Sequence, residues 1–112
     1  MPTFVLALNL KDDPRVIAEY VEHHRKVWPE VLAGIRRAGA EDIKIYLNGR
    51  HLFMLMTGPE GFDPDTAFAD YQRDPVVQRW EALMQTLQEQ LPGSPHGRWW
   101  TPLRKIFDLA ET

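Results

Sequence analysis

Four histidines and no cysteine define the acid–base chemistry open to this chain. Imidazole is the side chain whose ordinary titration falls near neutral pH. The lack of a thiol removes disulfides, cysteine-ligated zinc, iron–sulfur clusters and cysteine nucleophiles. A metal centre needs ligands that converge on one point. Here His24 and Glu19 are five residues apart, and neither a His-x3-His pair nor a His-Glu-x-x-His motif occurs. A metal centre is therefore not expected. His24 has the best company of the four: Tyr20 stands four residues before it and Trp28 four after, a spacing that predicts one shared helix face. A ring that gives and takes a proton, a phenol and a broad indole suit a polyhydroxylated ligand. Sugars offer C–H faces to aromatic rings and hydroxyls to donors and acceptors. The same spacing also describes an aromatic core stripe holding one satisfied histidine, and the pattern alone leaves both open. His23 is expected to face solvent, His51 follows a turn, and His96 lies in a Pro/Gly-rich stretch.

Two other sets of residues invite a role. Trp80 lies on the apolar stripe of a second large helix, where core packing is its first explanation. Arg79 and Glu81 flank it as solvent-facing charges, with Glu81 near enough to the stripe edge to reach a pocket. Trp99-Trp100 is unusual in a stretch so rich in proline and glycine. Adjacent residues of a strand point to opposite faces, so one of the pair is expected at a subunit interface or at the mouth of a site.

The elements that must position these residues can be read from the punctuation. Thr3–Leu10 alternates, with Phe4, Leu6, Leu8 and Leu10 on one face and Val5 and Ala7 on the other, which predicts a strand covered on both sides. Asp12-Asp13-Pro14 predicts a helix start. That helix is expected to run from Pro14 to about Ala38, kink at Pro29 and stop at Gly39 in a left-handed cap. Ile43–Leu47 and His51–Thr57 are β-type runs around Asn48-Gly49-Arg50, a hairpin signal. A short helix over Asp65–Tyr71 follows the loop Gly58–Pro64. Asp74-Pro75 starts the second large helix, with Val76, Trp80, Leu83, Met84, Leu87 and Leu91 on one stripe until Pro92 ends it. A last strand is expected over Leu103–Leu109.

The resulting order β-α-β-β-α-β predicts an α+β, ferredoxin-like fold: an antiparallel sheet with helices on one face. The 112 residues suffice for one domain, residues 1–112. Hydrophobic residues make up 44% and charged residues 26%, a globular composition rather than a disordered one. Thirteen basic against sixteen acidic residues give a net charge of −3, so no basic stripe exists to hold nucleic acid. The longest apolar runs are strand-length, no membrane span is expected, and the N-terminus lacks the pattern of a signal peptide. A cytoplasmic location follows as the default. The second sheet face carries Val5, Ala7, Phe53 and Leu55, and hiding it most simply requires a homodimer.

The run Glu19–Leu32, EYVEHHRKVWPEVL, resembles the first-helix signature E-Y-x-x-x-H-x-x-x-W-P-E of the L-rhamnose mutarotase family. Gly39-Ala40, Ile45-Tyr46-Leu47, Gln78-Arg79-Trp80 and the closing Ile106–Leu109 look like later landmarks at matching intervals, so the likeness spans Phe4 to Leu109. The resemblance implies a dimeric α/β barrel type of ferredoxin-like fold. It implies an isomerase that exchanges the α and β anomers of a 6-deoxy-L-sugar, a monosaccharide, without cofactor or metal. His24 matches the family's proton donor, Tyr20 and Trp80 match sugar-binding positions, and Trp28, Glu81 and Tyr46 complete the expected substrate-binding set. Two departures stand out: Ile43 where the family has tyrosine, and Glu81 where it has a second tryptophan. Exchanging a phenol and an indole for a carboxylate changes which hydroxyls can be held, and tilts the expectation from L-rhamnose towards L-fucose.

Mutarotation fits the residue inventory, because one imidazole can act as acid in one direction and base in the other. Two other readings remain open. One is a cofactor-free monooxygenase on the same dimeric architecture, its cavity lined by Trp99, Trp100 and methionines. The other is a sugar-binding dimer without activity.

Overall fold

The structure, a computed structural model, describes residues 2–94 and 98–112; His96 lies outside the described residues. Strand β1 (Thr3–Leu10) pairs antiparallel with β3 (His51–Thr57) along its whole length, Thr3 opposite Thr57 and Asn9 opposite His51. Strand β2 (Asp42–Asn48) pairs antiparallel with β3 in turn. Two short strands, β4 (Gln88–Glu89) and β5 (Thr101–Pro102), both join the other edge of β1. The order β2-β3-β1-β4 is that of a ferredoxin-like sheet, as the element order predicts. One face of β1 sends Leu6, Leu8 and Leu10 into the core beside Leu52 and Met56 of β3. Each such buried side chain contributes about 1.5–3 kcal/mol.

The helices cover that face, but their boundaries differ from the sequence reading. The expected kinked helix is two: α1 (Pro14–His23) and α2 (Pro29–Ala38). Pro29 cannot donate to the preceding turn, and its ring drives Trp28 to φ −59, ψ 136, outside the helical region. The ends match the punctuation. Asp13 Oδ1 accepts the Arg15 N–H at 2.9 Å, a cap worth about 1 kcal/mol, and Gly39 closes α2 at φ 100. The hairpin turn is Gly49-Arg50 rather than Asn48-Gly49, since Asn48 is still paired with His51; only Gly49 takes positive φ. The expected helix over Asp65–Tyr71 is shorter, α3 (Pro64–Ala67), followed by one 3-10 turn at Tyr71–Arg73.

Helix α4 (Pro75–Gln85) stops well before Leu91. Thr86 Oγ1 donates to the Leu83 carbonyl at 2.6 Å, and the chain then supplies β4 to the open edge of β1. Leu87 remains in the core, so the stripe describes burial correctly while the backbone changes type: an unpaired sheet edge outweighs helical spacing. In α4 it is Val77, not Val76, that is fully buried. The last strand is also displaced. β5 ends at Pro102, one further bond joins Leu103 N to Val5 O at 2.8 Å, and Ile106 and Phe107 stand 85% and 67% exposed. Among the described residues no helix is long and apolar enough to cross a membrane.

Candidate active site

The break between α1 and α2 puts His24 at the C-cap of α1 instead of mid-helix. Two N–H groups of His24 meet the Tyr20 carbonyl: the backbone N–H at 3.3 Å and ring Nδ1 at 2.8 Å. A carbonyl only accepts, so Nδ1 carries the hydrogen and the neutral ring keeps its lone pair on Nε2. That nitrogen makes no hydrogen bond among the described residues. The Tyr20 ring lies 4.4 Å from the imidazole at 33°, as expected for neighbours four apart on a helix. Its hydroxyl accepts from Nε2 of Gln88 at 3.2 Å. Gln88 is buried on β4 and was invisible to a reading that continued α4 through it.

Trp80 is the hub of the cluster. Its ring meets His24 edge-on at 5.6 Å and Trp28 at 5.3 Å. Trp28 therefore arrives as expected, but by the turn ahead of α2 and not by helical spacing. His23 does not point clear of this region: it pairs with Glu19 at 3.1 Å, and its ring stands 6.4 Å from Trp80. Tyr20 and Trp80 are 3% and 5% exposed, so both are also core residues. The two descriptions left open by the spacing hold together here: packed aromatics, with one half-buried imidazole at their edge.

Tyr46 does not join this cluster. Its neighbour Ile45 packs on the core, so alternation turns Tyr46 to the outer sheet face, where it is 53% exposed. That expected site residue is on the wrong side of the sheet. Glu81 faces a cavity of about 910 Å³ whose wall also includes Leu6, Tyr71, Arg98, Trp99 and Trp100. His24, Tyr20 and Trp80 are not part of that wall, although the Glu81 charge is felt at the Tyr20 hydroxyl. Neither tryptophan of the Trp99–Trp100 pair lies in a strand; both are half-buried in the bend before β5, held by Arg98 Nε to the Trp100 carbonyl at 3.2 Å. Among the described residues no three His, Asp or Glu side chains gather in a way that would hold a metal ion.

The electrostatics follow burial. Burial pushes the Tyr20 phenol up to about 12, so it is a neutral hydroxyl throughout the physiological range. Burial pulls His24 below its ordinary value, partly offset by the bond to the Tyr20 carbonyl and reinforced by the neighbouring His23. The ring is thus neutral near pH 7, with Nε2 free to take a proton. The sign for stability follows. The unfolded chain takes up this proton near pH 6.5 and the folded chain only at lower pH. Stability is therefore lost as pH falls below about 6.5, and His24 contributes no pH dependence above it. Glu81, raised by burial, works in the opposite sense at acid pH. Urea midpoints of wild type and His24→Gln at about pH 7.5 and about pH 5.5 separate the two. The wild type is expected to lose more on acidification than the variant; equal losses count against a lowered His24.

The sequence model for "L-rhamnose mutarotase" matches residues 3–109. An L-fucose mutarotase of Xanthomonas campestris pv. campestris is 42% identical over 99% of this chain and 90% of its own length. An L-rhamnose mutarotase of Acidiphilium cryptum is 29% identical over 93% of this chain and 96% of its own. The crystal structure of an L-rhamnose mutarotase from Formosa agariphila superposes with a TM-score of 0.70 at 19% identity, covering 97% of this chain and 99% of that one. A family match over residues 3–109, with a relative 42% identical over 99% of this chain, makes this chain a member of the L-rhamnose mutarotase family.

Proposed function

We propose that this protein is an isomerase exchanging the α and β anomers of a 6-deoxy-L-hexose, with L-fucose ahead of L-rhamnose as substrate. The observation that carries the reading is His24: a half-buried imidazole with Nδ1 committed to a carbonyl and Nε2 free. In the forward direction Nε2 takes the proton of the anomeric hydroxyl, the C1–O5 bond breaks, and O5 takes a proton from water. Rotation about C1–C2 and closure by the reverse proton movements give the other anomer. No electron is gained or lost overall, and no covalent intermediate with the protein is required. Tyr20 orients the imidazole, and Trp80 with Trp28 backs the ring on its apolar side. The 42% identity to an L-fucose mutarotase and the carboxylate at Glu81 support the preference for L-fucose. NMR saturation transfer between the anomers of L-fucose, L-rhamnose and common aldohexoses tests it. Fastest exchange is expected for L-fucose, and no acceleration of any sugar overturns the reading.

The same proposal includes a homodimer built on the outer sheet face, within one domain and in the cytoplasm. Val5, Tyr46 and Phe53 are exposed on that face, and Ile106, Phe107 and Leu109 stand free beyond β5, an apolar surface that a second copy would cover. Light scattering coupled to size-exclusion chromatography is expected to give twice the chain mass, and Phe53→Lys to shift it towards the single chain. A single-chain mass for the wild type at micromolar concentration removes the dimer.

A further inference from the structure

The cavity of about 910 Å³ beside Glu81 is a feature that the His24 cluster leaves unexplained. Its volume is in the range of small-molecule sites, about 300–1,000 Å³. Its wall combines two indoles, Trp99 and Trp100, with one phenol, Tyr71, and two carboxyls, Glu81 and Asp65, the second of them paired with Arg98 at 3.4 Å. That pairing of apolar rings with a carboxyl is what a pyranose needs, because one face of the ring is C–H and its rim is hydroxyl. The polar side is organised. The Tyr71 O–H donates to Oε1 of Glu81 at 3.4 Å, and Oε2 has no hydrogen-bond partner among the described residues. Tyr71 is itself held in place from behind. A Cβ added at Gly34 of α2 would come within 2.9 Å of its Cδ1, so only glycine allows the helix this close. On the far side the Phe68 ring meets Tyr71 edge-on at 5.1 Å.

We propose that Tyr71 and Glu81 form the specificity-determining element of this cavity, selecting a galacto-configured 6-deoxy-L-pyranose seated on Trp99 and Trp100. In such a sugar the hydroxyl at C4 is axial. The opposite face then joins the hydrogens of C3, C4 and C5 into one apolar patch that lies flat on an indole. The hydroxyls at C3 and C4 point away from it, towards one carboxyl. A manno-configured sugar has an equatorial hydroxyl at C4 and interrupts that patch. Tyr71 fixes Oε1 and so leaves Oε2 to accept from the sugar. Burial, which raises both Glu81 and Tyr71, makes an unmet hydroxyl at this wall more costly than it would be in water. The inference rests on the mutarotase reading for its substrate class but not for its location. Trp80, the residue before Glu81 in α4, touches His24 and Glu81 itself faces the cavity, so α4 links the selecting wall to the His24 cluster.

The test measures exchange and binding separately. Saturation transfer compares L-fucose with L-rhamnose for wild type, Tyr71→Phe and Glu81→Gln. A site built to pair a hydroxyl discriminates strongly against a ligand that leaves it unpaired. Both variants are therefore expected to lower L-fucose exchange about 10-fold or more while L-rhamnose exchange changes about 2-fold or less. Equal loss for both sugars, or no loss, overturns the proposal. Indole N–H resonances of 15N-labelled protein, assigned with Trp99→Phe and Trp100→Phe, report binding. L-fucose is expected to shift the Trp99 and Trp100 signals in wild type and in His24→Ala, and much less in Glu81→Gln. If wild type accelerates no sugar but these shifts occur and depend on Glu81, the mutarotase reading fails and the sugar seat stands. If exchange is fast and neither indole moves, the seat fails and the mutarotase reading stands.

Discussion

His24→Ala is expected to lower protein-catalysed exchange of L-fucose anomers by about 10²–10⁴-fold, the usual contribution of one positioned acid–base group. The size follows from what the ring does twice per turnover: Nε2 takes a proton on opening and returns one on closure. The fold should survive, because His24 is only half-buried and its Nδ1 bond ends on a backbone carbonyl at the end of α1. Circular dichroism and the urea midpoint provide the check. The pH profile carries the same signature in wild type. Exchange should be level above neutrality and fall as pH drops through the lowered value of His24, since the protonated ring has no lone pair to offer. Exchange near the wild-type rate in the alanine variant would move the acid–base role elsewhere.

Trp80→Ala is expected to act on stability first, by about 3–5 kcal/mol as for other buried aromatic deletions. Domains of this kind are held by about 5–15 kcal/mol in total, so the variant sits near the edge of folding. The reason is visible in the packing: Trp80 is 5% exposed and makes edge contacts with His23, His24 and Trp28. Trp80→Phe keeps much of that volume and should recover most of the loss in a urea titration. A midpoint unchanged by Trp80→Ala would mean that the indole is not part of the core.

Strands β1, β2 and β3, the hairpin and the starts of α1 and α4 were legible because their signals are local. Asp13-Pro14 and Asp74-Pro75 cap helices wherever they stand, and alternation in β1 fixes which residues meet the core. Errors gathered where distant parts of the chain compete. Nothing near Gln88 announces that the edge of β1 will draw it out of the helix and place its amide on Tyr20. Nothing in Tyr71 announces Glu81, ten residues away and across an intervening turn. Tyr46 shows the opposite limit. A motif match carried it into the expected site, while simple alternation along β2 already assigned it to the other side of the sheet. His24, Tyr20 and Trp28 were legible as a group, although Pro29 assembles them by breaking the helix that seemed to unite them.

Strands β4 and β5 share one edge of β1: the chain leaves it at Glu89 and comes back at Thr101. Both ends of that excursion are anchored to the same scaffold, and near its return Trp99 and Trp100 pack against the core. The same two indoles line the cavity, so redesign of ligand preference at this return has to preserve their grip on the core.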